Sequence, residues 1–223
     1  MTNRTSLHIT TVVSDGFGEN GYVVRCVETG EYVVIDPGNR VDRFQAIIEE
    51  SGRAPAGILL THAHIDHIVG VAALKRATGA PVRLHPADRP LYDAAGGQAT
   101  MFGMRIEVPP PPDENWTHGE VYRFGACELQ VRHVPGHAPG HIVLYSVAAQ
   151  VAFVGDVVFA GSIGRTDLPG GDFQTLIAGI RAQVLTLPDE TTLYPGHGPA
   201  TTVGAERTSN PFLAPQLGGS RFA

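Results

Sequence analysis

The sequence predicts a single α/β domain spanning residues 1–223, and three observations carry that reading. Its 223 residues, 43% of them apolar, can bury a sizeable core, which excludes disorder and fibrous architectures. Strand-like runs followed by a helical period occur twice along the chain, a weak internal duplication with no linker between the halves. The 27 glycines and 17 prolines make up about a fifth of the residues without any repeat, as in a fold rich in turns and loops.

Each element follows from its local pattern. Gly21–Cys26 and Glu31–Asp36 are β-rich runs joined by a Glu-Thr-Gly turn. Val41, Phe44, Ile47 and Ile48 recur at helical spacing, and Ser51-Gly52 closes that helix. Ala56–Leu60 reads as a short apolar strand, Asp66–Thr78 as one helix, and Val82–His85 as a further strand. From 86 to 120 the pattern weakens to an irregular connection with short strands expected at 104–108 and near 121. Strand runs resume at Glu128–Val134, His141–Val147 and Val151–Val154. Phe173, Leu176, Ile177, Ile180, Val184 and Leu187 then form the clearest helix, with Asp172 as N-cap and Pro188 as its stop.

Composition narrows the partners. Sixteen Lys and Arg against 22 Asp and Glu leave a net charge of −6, which argues against a nucleic-acid binder. No apolar run approaches the roughly 18–20 residues that span a bilayer, so no membrane partner is expected. The residues from Met1 to Thr11 lack the apolar run and cleavage site of a signal peptide, and a cytoplasmic setting is expected. Two cysteines, Cys26 and Cys127, are too few for a disulfide framework and read as buried small hydrophobes. The sequence carries no signature of oligomeric state.

The chemistry lies in the ten histidines. His62-Ala-His64-Ile-Asp66-His67 stands where an apolar strand gives way to a helix, and ligands gather at such strand ends. Three imidazoles and a carboxylate within six residues suit zinc, iron or manganese. The spacing points to two ions: His62 and His64 share one, while Asp66 and His67, at the helix start, point another way. Three further strand ends carry Pro-Gly-His137, Gly-Asp156 and Pro-Gly-His197. The set contains no thiol, unlike many closed structural zinc sites, and it fits hydrolytic metal chemistry.

His62-x-His64-x-Asp66-His67 followed by His137, Asp156 and His197 resembles the metallo-β-lactamase superfamily over almost the whole chain. Within it the chain is similar to the glyoxalase II group, the hydroxyacylglutathione hydrolases. The similarity is greatest to short bacterial members with the run at 155–167 and Asn210-Pro-Phe-Leu213. The resemblance implies an αββα sandwich and two divalent ions, zinc foremost. His62, His64 and His137 would hold one ion; Asp66, His67 and His197 would hold the other, with Asp156 between. It also implies a thioesterase using a metal-bridging hydroxide, with Asp66 and Asp156 as catalytic ligands and a small-molecule thioester as substrate. About 26 residues follow His197, too few for the helical region that binds glutathione in longer members.

The closest rival uses the same residues. His62, His137 and Asp156 match the iron triad of the superfamily's persulfide dioxygenases, where Arg165-Thr-Asp167 also occurs. A lactonase or β-lactamase ranks lower. Arg165 either braces its loop through Asp167 or meets a substrate carboxylate, and Tyr22 either lines the cleft or is an interior strand residue. Asp36 and His141 are expected as structural support. His133 reads as a satisfied buried histidine, and His8, His85 and His118 as ordinary residues.

Overall fold

The computed structural model describes residues 6–214, so the start of the Met1–Thr11 segment read for targeting lies outside the described residues. In chain order the first half contains β1 (Leu7–Val13), β2 (Asn20–Cys26), β3 (Tyr32–Ile35), α1 (Val41–Ser51), β4 (Ile58–Leu59), α2 (Ile65–Ile68), α3 (Val71–Thr78) and β5 (Val82–Leu84). Two further short helices, α4 (Arg89–Asp93) and α5 (Ala95–Met101), and β6 (Glu114–Asn115) complete it. The second half contains β7 (Val121–Phe124), β8 (Cys127–His133), β9 (Ile142–Ser146), β10 (Val151–Gly155), β11 (Val158–Phe159), β12 (Ser162–Ile163), α6 (Phe173–Gly179), β13 (Thr192–Pro195), β14 (Thr201–Thr202) and α7 (Val203–Ser209).

The strands form two six-stranded sheets, ordered β1-β2-β3-β4-β5-β6 and β14-β13-β10-β9-β8-β7. Each sheet is mixed: β3 to β6 run parallel in the first, and β10 and β13 are the parallel pair of the second. The inner faces meet in a core containing Val24, Ile35, Leu59, Leu129, Leu144 and Phe153, with both cysteines buried and unbridged there. Outside the first sheet, Val34, Ile58 and Val82 pack on Phe44, Leu74, Tyr92 and Ala99 of its helices. Outside the second, Val143, Ala152 and Leu193 pack on Leu176, Ile180 and Val203. Helices cover both outer faces because each sheet is apolar on two sides, and full burial of one such side chain contributes about 1.5–3 kcal/mol. The layers are α, β, β, α.

Several expectations change. The helix expected over 66–78 is two, α2 and α3, broken at Val69-Gly70. A Cβ at Gly70 would strike the Pro37 and Gly38 carbonyls, and Gly70 N–H donates to Pro37 O at 2.8 Å instead of continuing the helix. The 86–120 stretch holds α4 and α5, hidden in the sequence by Pro90 and Gly96-Gly97. Pro90 sits in the first turn of α4, where its missing N–H costs nothing. No strand forms at 104–108; Met104 and Ile106 alternate because they pack on the outer core, with no partner strand beside them. The long helix after Asp172 leaves α geometry at Gly179 and continues as a π-helical turn over 180–184. Its cap is as expected, the Asp172 side chain accepting from Thr175 N–H at 2.7 Å. β7 occurs near 121 as expected, and α7, capped by Thr202, is an addition.

Candidate metal centre

Every candidate ligand sits just past the carboxyl end of a strand. His62 and His64 follow β4, His137 follows β8, Asp156 follows β10 and His197 follows β13, while Asp66 and His67 open α2. The four strands come from both sheets, so the site lies along one rim of the sandwich. Close approach is possible there because of particular glycines. Gly155 has φ +47°, and a Cβ on it would enter Thr61 and His141; a Cβ on Gly196 would enter the Asp156 carboxylate and His67.

The side chains form two trios whose ligand atoms lie within 4.8 Å of one another: His62, His64 and His137, and Asp66, His67 and His197. His64 Nδ1 and His137 Nε2 converge to 2.8 Å. His197 Nε2 lies 3.2 Å from Asp66 Oδ2. Asp156 stands between the trios, its carboxylate 3.4 Å from His67, 3.5 Å from His137 and 3.6 Å from His197. Buried polar atoms are normally satisfied, yet His62 Nε2, His67 Nε2 and Asp156 Oδ1 have no hydrogen-bond partner. All three belong to this cluster, and lone pairs left bare among nitrogen and oxygen donors fit a divalent cation.

The opposite faces of these rings are held. His67 Nδ1 meets Asp36 Oδ2 at 3.1 Å, and Asp36 also accepts Thr61 N–H at 2.7 Å and Thr61 O–H at 2.5 Å. A third trio of Asp36, His62 and His67 is also close enough for a metal, but Asp36 is committed to these contacts. Asp36 therefore supports the His62 loop, in a left-handed backbone conformation of φ +45° that a non-glycine residue adopts at a cost of about 1–3 kcal/mol. His137 Nδ1 meets the Arg165 carbonyl at 2.8 Å. Such partners orient a ligating imidazole and fix its tautomer.

Electrostatics leave the first trio neutral. Burial, reinforced by neighbouring imidazoles, holds His62 well below the usual histidine range, and burial beside His137 brings His64 down to about 4. Burial likewise lowers His137. Burial alone would raise Asp156, but His67, His137 and His197 outweigh it and keep the carboxylate ionised. Burial opposes the charge of His67 too, and there Asp66 and Asp156 win, raising it. The first trio and the ionised Asp156 thus already have the protonation states a metal requires, whereas a cation at His67 would displace its proton.

The seven predicted ligands thus come together. His141 is buried among them, its ring stacked on His62 at 4.6 Å and its Nε2 accepting Asp156 N–H at 3.0 Å. Arg165 and Asp167 form a two-pronged pair at 2.7 Å on each prong, exposed beside the site. Tyr22, offered as a cleft residue, is buried between the sheets, where its hydroxyl donates to Pro195 O at 2.6 Å beneath the His197 turn. His133 is half-buried rather than buried, stacked on His85 at 4.1 Å, with Nε2 at 2.9 Å from Pro139 O. Sequence reasoning missed Asp88. That carboxylate is fully buried and accepts Ala63 N–H at 3.0 Å and Gly140 N–H at 2.5 Å, tying the His62–His64 loop to the His137 loop. Only its place after a strand end marked it, and a helix cap reads the same way.

The family model for the metallo-β-lactamase superfamily matches residues 14–197. The chain belongs to the metallo-β-lactamase superfamily. Among superfamily relatives, hydroxyacylglutathione hydrolase GloC of Haemophilus influenzae is 40% identical over 184 residues, 81% of this chain and 86% of that protein. The crystal structure of TTHA1623 in a di-iron-bound form is 44% identical with a TM-score of 0.84, covering 92% of this chain and all of that one. The BLEG-1 B3 metallo-β-lactamase follows at 37% and a TM-score of 0.86, over 93% of this chain and all of that one. ETHE1 from Myxococcus xanthus is more distant, 26% identical with a TM-score of 0.77, over 96% of this chain and 86% of that one. The chain is a metallo-hydrolase of this superfamily, with a fold that binds divalent metals and a histidine-rich candidate site. No helix among the described residues is long and apolar enough to cross a membrane.

Proposed function

We propose that this chain is a cytoplasmic thioesterase that hydrolyses hydroxyacylglutathione-type thioesters, with neither nucleic acid nor membrane as partner. The observation that carries the reading is the complete pair of trios, bare lone pairs facing inward and Asp156 between them. The 40% identity to a hydroxyacylglutathione hydrolase supports the substrate class. His62, His64 and His137 would hold one divalent ion and Asp66, His67 and His197 a second, with Asp156 shared; zinc is the expected metal, with iron or manganese as substitutes. When bound, such ions supply Lewis acidity that brings the pKa of a water from 15.7 towards about 7.

The chain's own residues supply the rest. Asp66 and Asp156, largely buried between the trios, would orient the attacking water while acting as ligands. Asp36 and the Arg165 carbonyl keep His67 and His137 from turning. A thiol of pKa about 8.5 leaves as thiolate without a proton donor, and the cluster contains no lysine or tyrosine hydroxyl placed to give one. This favours a thioester over an amide.

The test is hydrolysis of S-D-lactoylglutathione beside other thioesters and lactones, with measured metal content. Chelation is expected to abolish thioesterase activity, and added divalent metal to restore it. Full activity after chelation overturns the reading. One iron per chain with oxygen uptake on glutathione persulfide replaces it by a persulfide dioxygenase using His62, His137 and Asp156.

A further inference from the structure

Glu19 is a fully buried carboxylate with no part in the chemistry above. One oxygen, Oε2, accepts the Ser14 hydroxyl at 2.7 Å. The other, Oε1, has no hydrogen-bond partner and lies 4.0 Å from His67 Nδ1, the ring nitrogen that Asp36 also faces. The backbone of the same residue reaches a second ligand. Glu19 and His197 face one another across a lone antiparallel bridge, and the next residue extends it. Asn20 N–H donates to Gly196 O at 2.6 Å, and its side-chain amide donates to Pro195 O at 3.1 Å and Gly198 O at 2.8 Å. His197 is thereby clasped on both sides by Glu19 and Asn20.

These contacts converge on two of the three members of one trio. The loops of His62, His64 and His137 are held by other groups: Thr61 with Asp36, Asp88, and the Arg165 carbonyl. With Nδ1 facing both Glu19 Oε1 and Asp36 Oδ2, the His67 ring is set with its Nε2 toward Asp66 Oδ2, 3.8 Å away, and such partners orient a ligating imidazole. Glu19 is thus placed to hold the orientation of His67 with its side chain, while its main chain fixes His197.

We propose that Glu19 is a positioning residue dedicated to the Asp66–His67–His197 half of the site, so that the second ion is held by a support the first does not share. The inference rests on the two-ion reading above. Occupancy by one ion or two is then set by a residue that touches neither substrate nor metal.

The experiment is a cobalt(II) titration of the metal-stripped chain, read by stoichiometry and visible spectrum, for the wild type, Glu19→Gln and His197→Ala. The wild type is expected to bind two ions. Glu19→Gln keeps the size of the side chain and is expected to raise the dissociation constant of one ion about 10–100-fold, leaving the other within threefold. Its residual spectrum should match that of His197→Ala. Equal weakening of both ions, as general loosening of the fold would give, overturns the proposal, as does no weakening of either. A wild type that binds a single ion overturns the two-ion reading itself, before any variant is measured. If Glu19→Gln does not fold, Ser14→Ala, which frees only Oε2, is expected to show the same one-sided pattern to a smaller degree.

Discussion

His141 accepts the backbone N–H of Asp156 through Nε2 at 3.0 Å while its ring lies flat against His62, 19° from parallel. One buried imidazole therefore sets the position of a ligand from the second sheet against a ligand from the first. Replacement by Phe keeps the stack but orphans the Asp156 N–H, a cost of about 1–3 kcal/mol. His141→Phe is expected to fold with a lower thermal midpoint and to bind metal about 10–100-fold more weakly. Calorimetry and metal titration check both, and unchanged metal affinity would count against the role given to His141.

Gly196 precedes His197, and a methyl group there would occupy the space of Asp156 Oδ1 and press on His67. Its backbone is not left-handed, so alanine adds no φ strain at this position. Gly196→Ala is expected to lose most bound metal and thioesterase activity while its unfolding midpoint in the presence of chelator stays close to that of the wild type. A variant that retains two ions per chain contradicts this geometry.

Arg165 and Asp167 pair outside the cluster with side chains 61% and 67% exposed. Exposed pairs contribute about 0–1 kcal/mol, and His137 leans on the Arg165 carbonyl rather than on its guanidinium. Arg165→Ala should therefore leave stability within about 1 kcal/mol of the wild type and metal content unchanged. A raised KM for substrates carrying a carboxylate, with kcat unaltered, would assign the guanidinium to substrate. No change in either would leave it a loop brace.

His85 is brought down to about 4 by burial and by the stacked His133 ring, and its Nδ1 accepts Ala87 N–H at 3.3 Å. In the unfolded chain it titrates near 6.5. Folded protein thus binds fewer protons than unfolded protein between these values, and stability rises with pH across that window. The contribution is complete above about 6.5 and is lost as pH falls towards about 4. Urea midpoints measured from pH 7 to pH 4 are expected to fall more steeply for the wild type than for His85→Gln. Parallel curves would remove His85 from the account.

Much of the site was legible because its ligands follow strand ends in short Gly- and Pro-fixed turns, a local pattern. His62, His64, Asp66 and His67 even share one segment, and the side chains that the resemblance offered as ligands lie close together. The supporting carboxylates were not legible. Asp88 and Glu19 stand beside apolar runs, where an acidic residue reads as a cap or a surface charge until tertiary contacts bury it. The break between α2 and α3 had the same cause, since it depends on Pro37-Gly38 reaching Gly70 from a distant part of the chain. Propensity also misjudged 104–108, where alternation reflects packing on helices rather than pairing in a sheet.

The clasp between Glu19 and His197 joins residues far apart in the order of synthesis. Asp66 and His67 leave the ribosome long before the residues that place His197 beside them. At about 5–20 residues per second, the wait for the remaining stretch is on the order of ten seconds. Until then the inner face of the first sheet lacks the strands that cover it, because Val24, Ile35 and Leu59 pack on Leu129, Leu144 and Phe153. The order of the chain therefore makes His197 the last ligand candidate to join, after every other member of both trios has emerged.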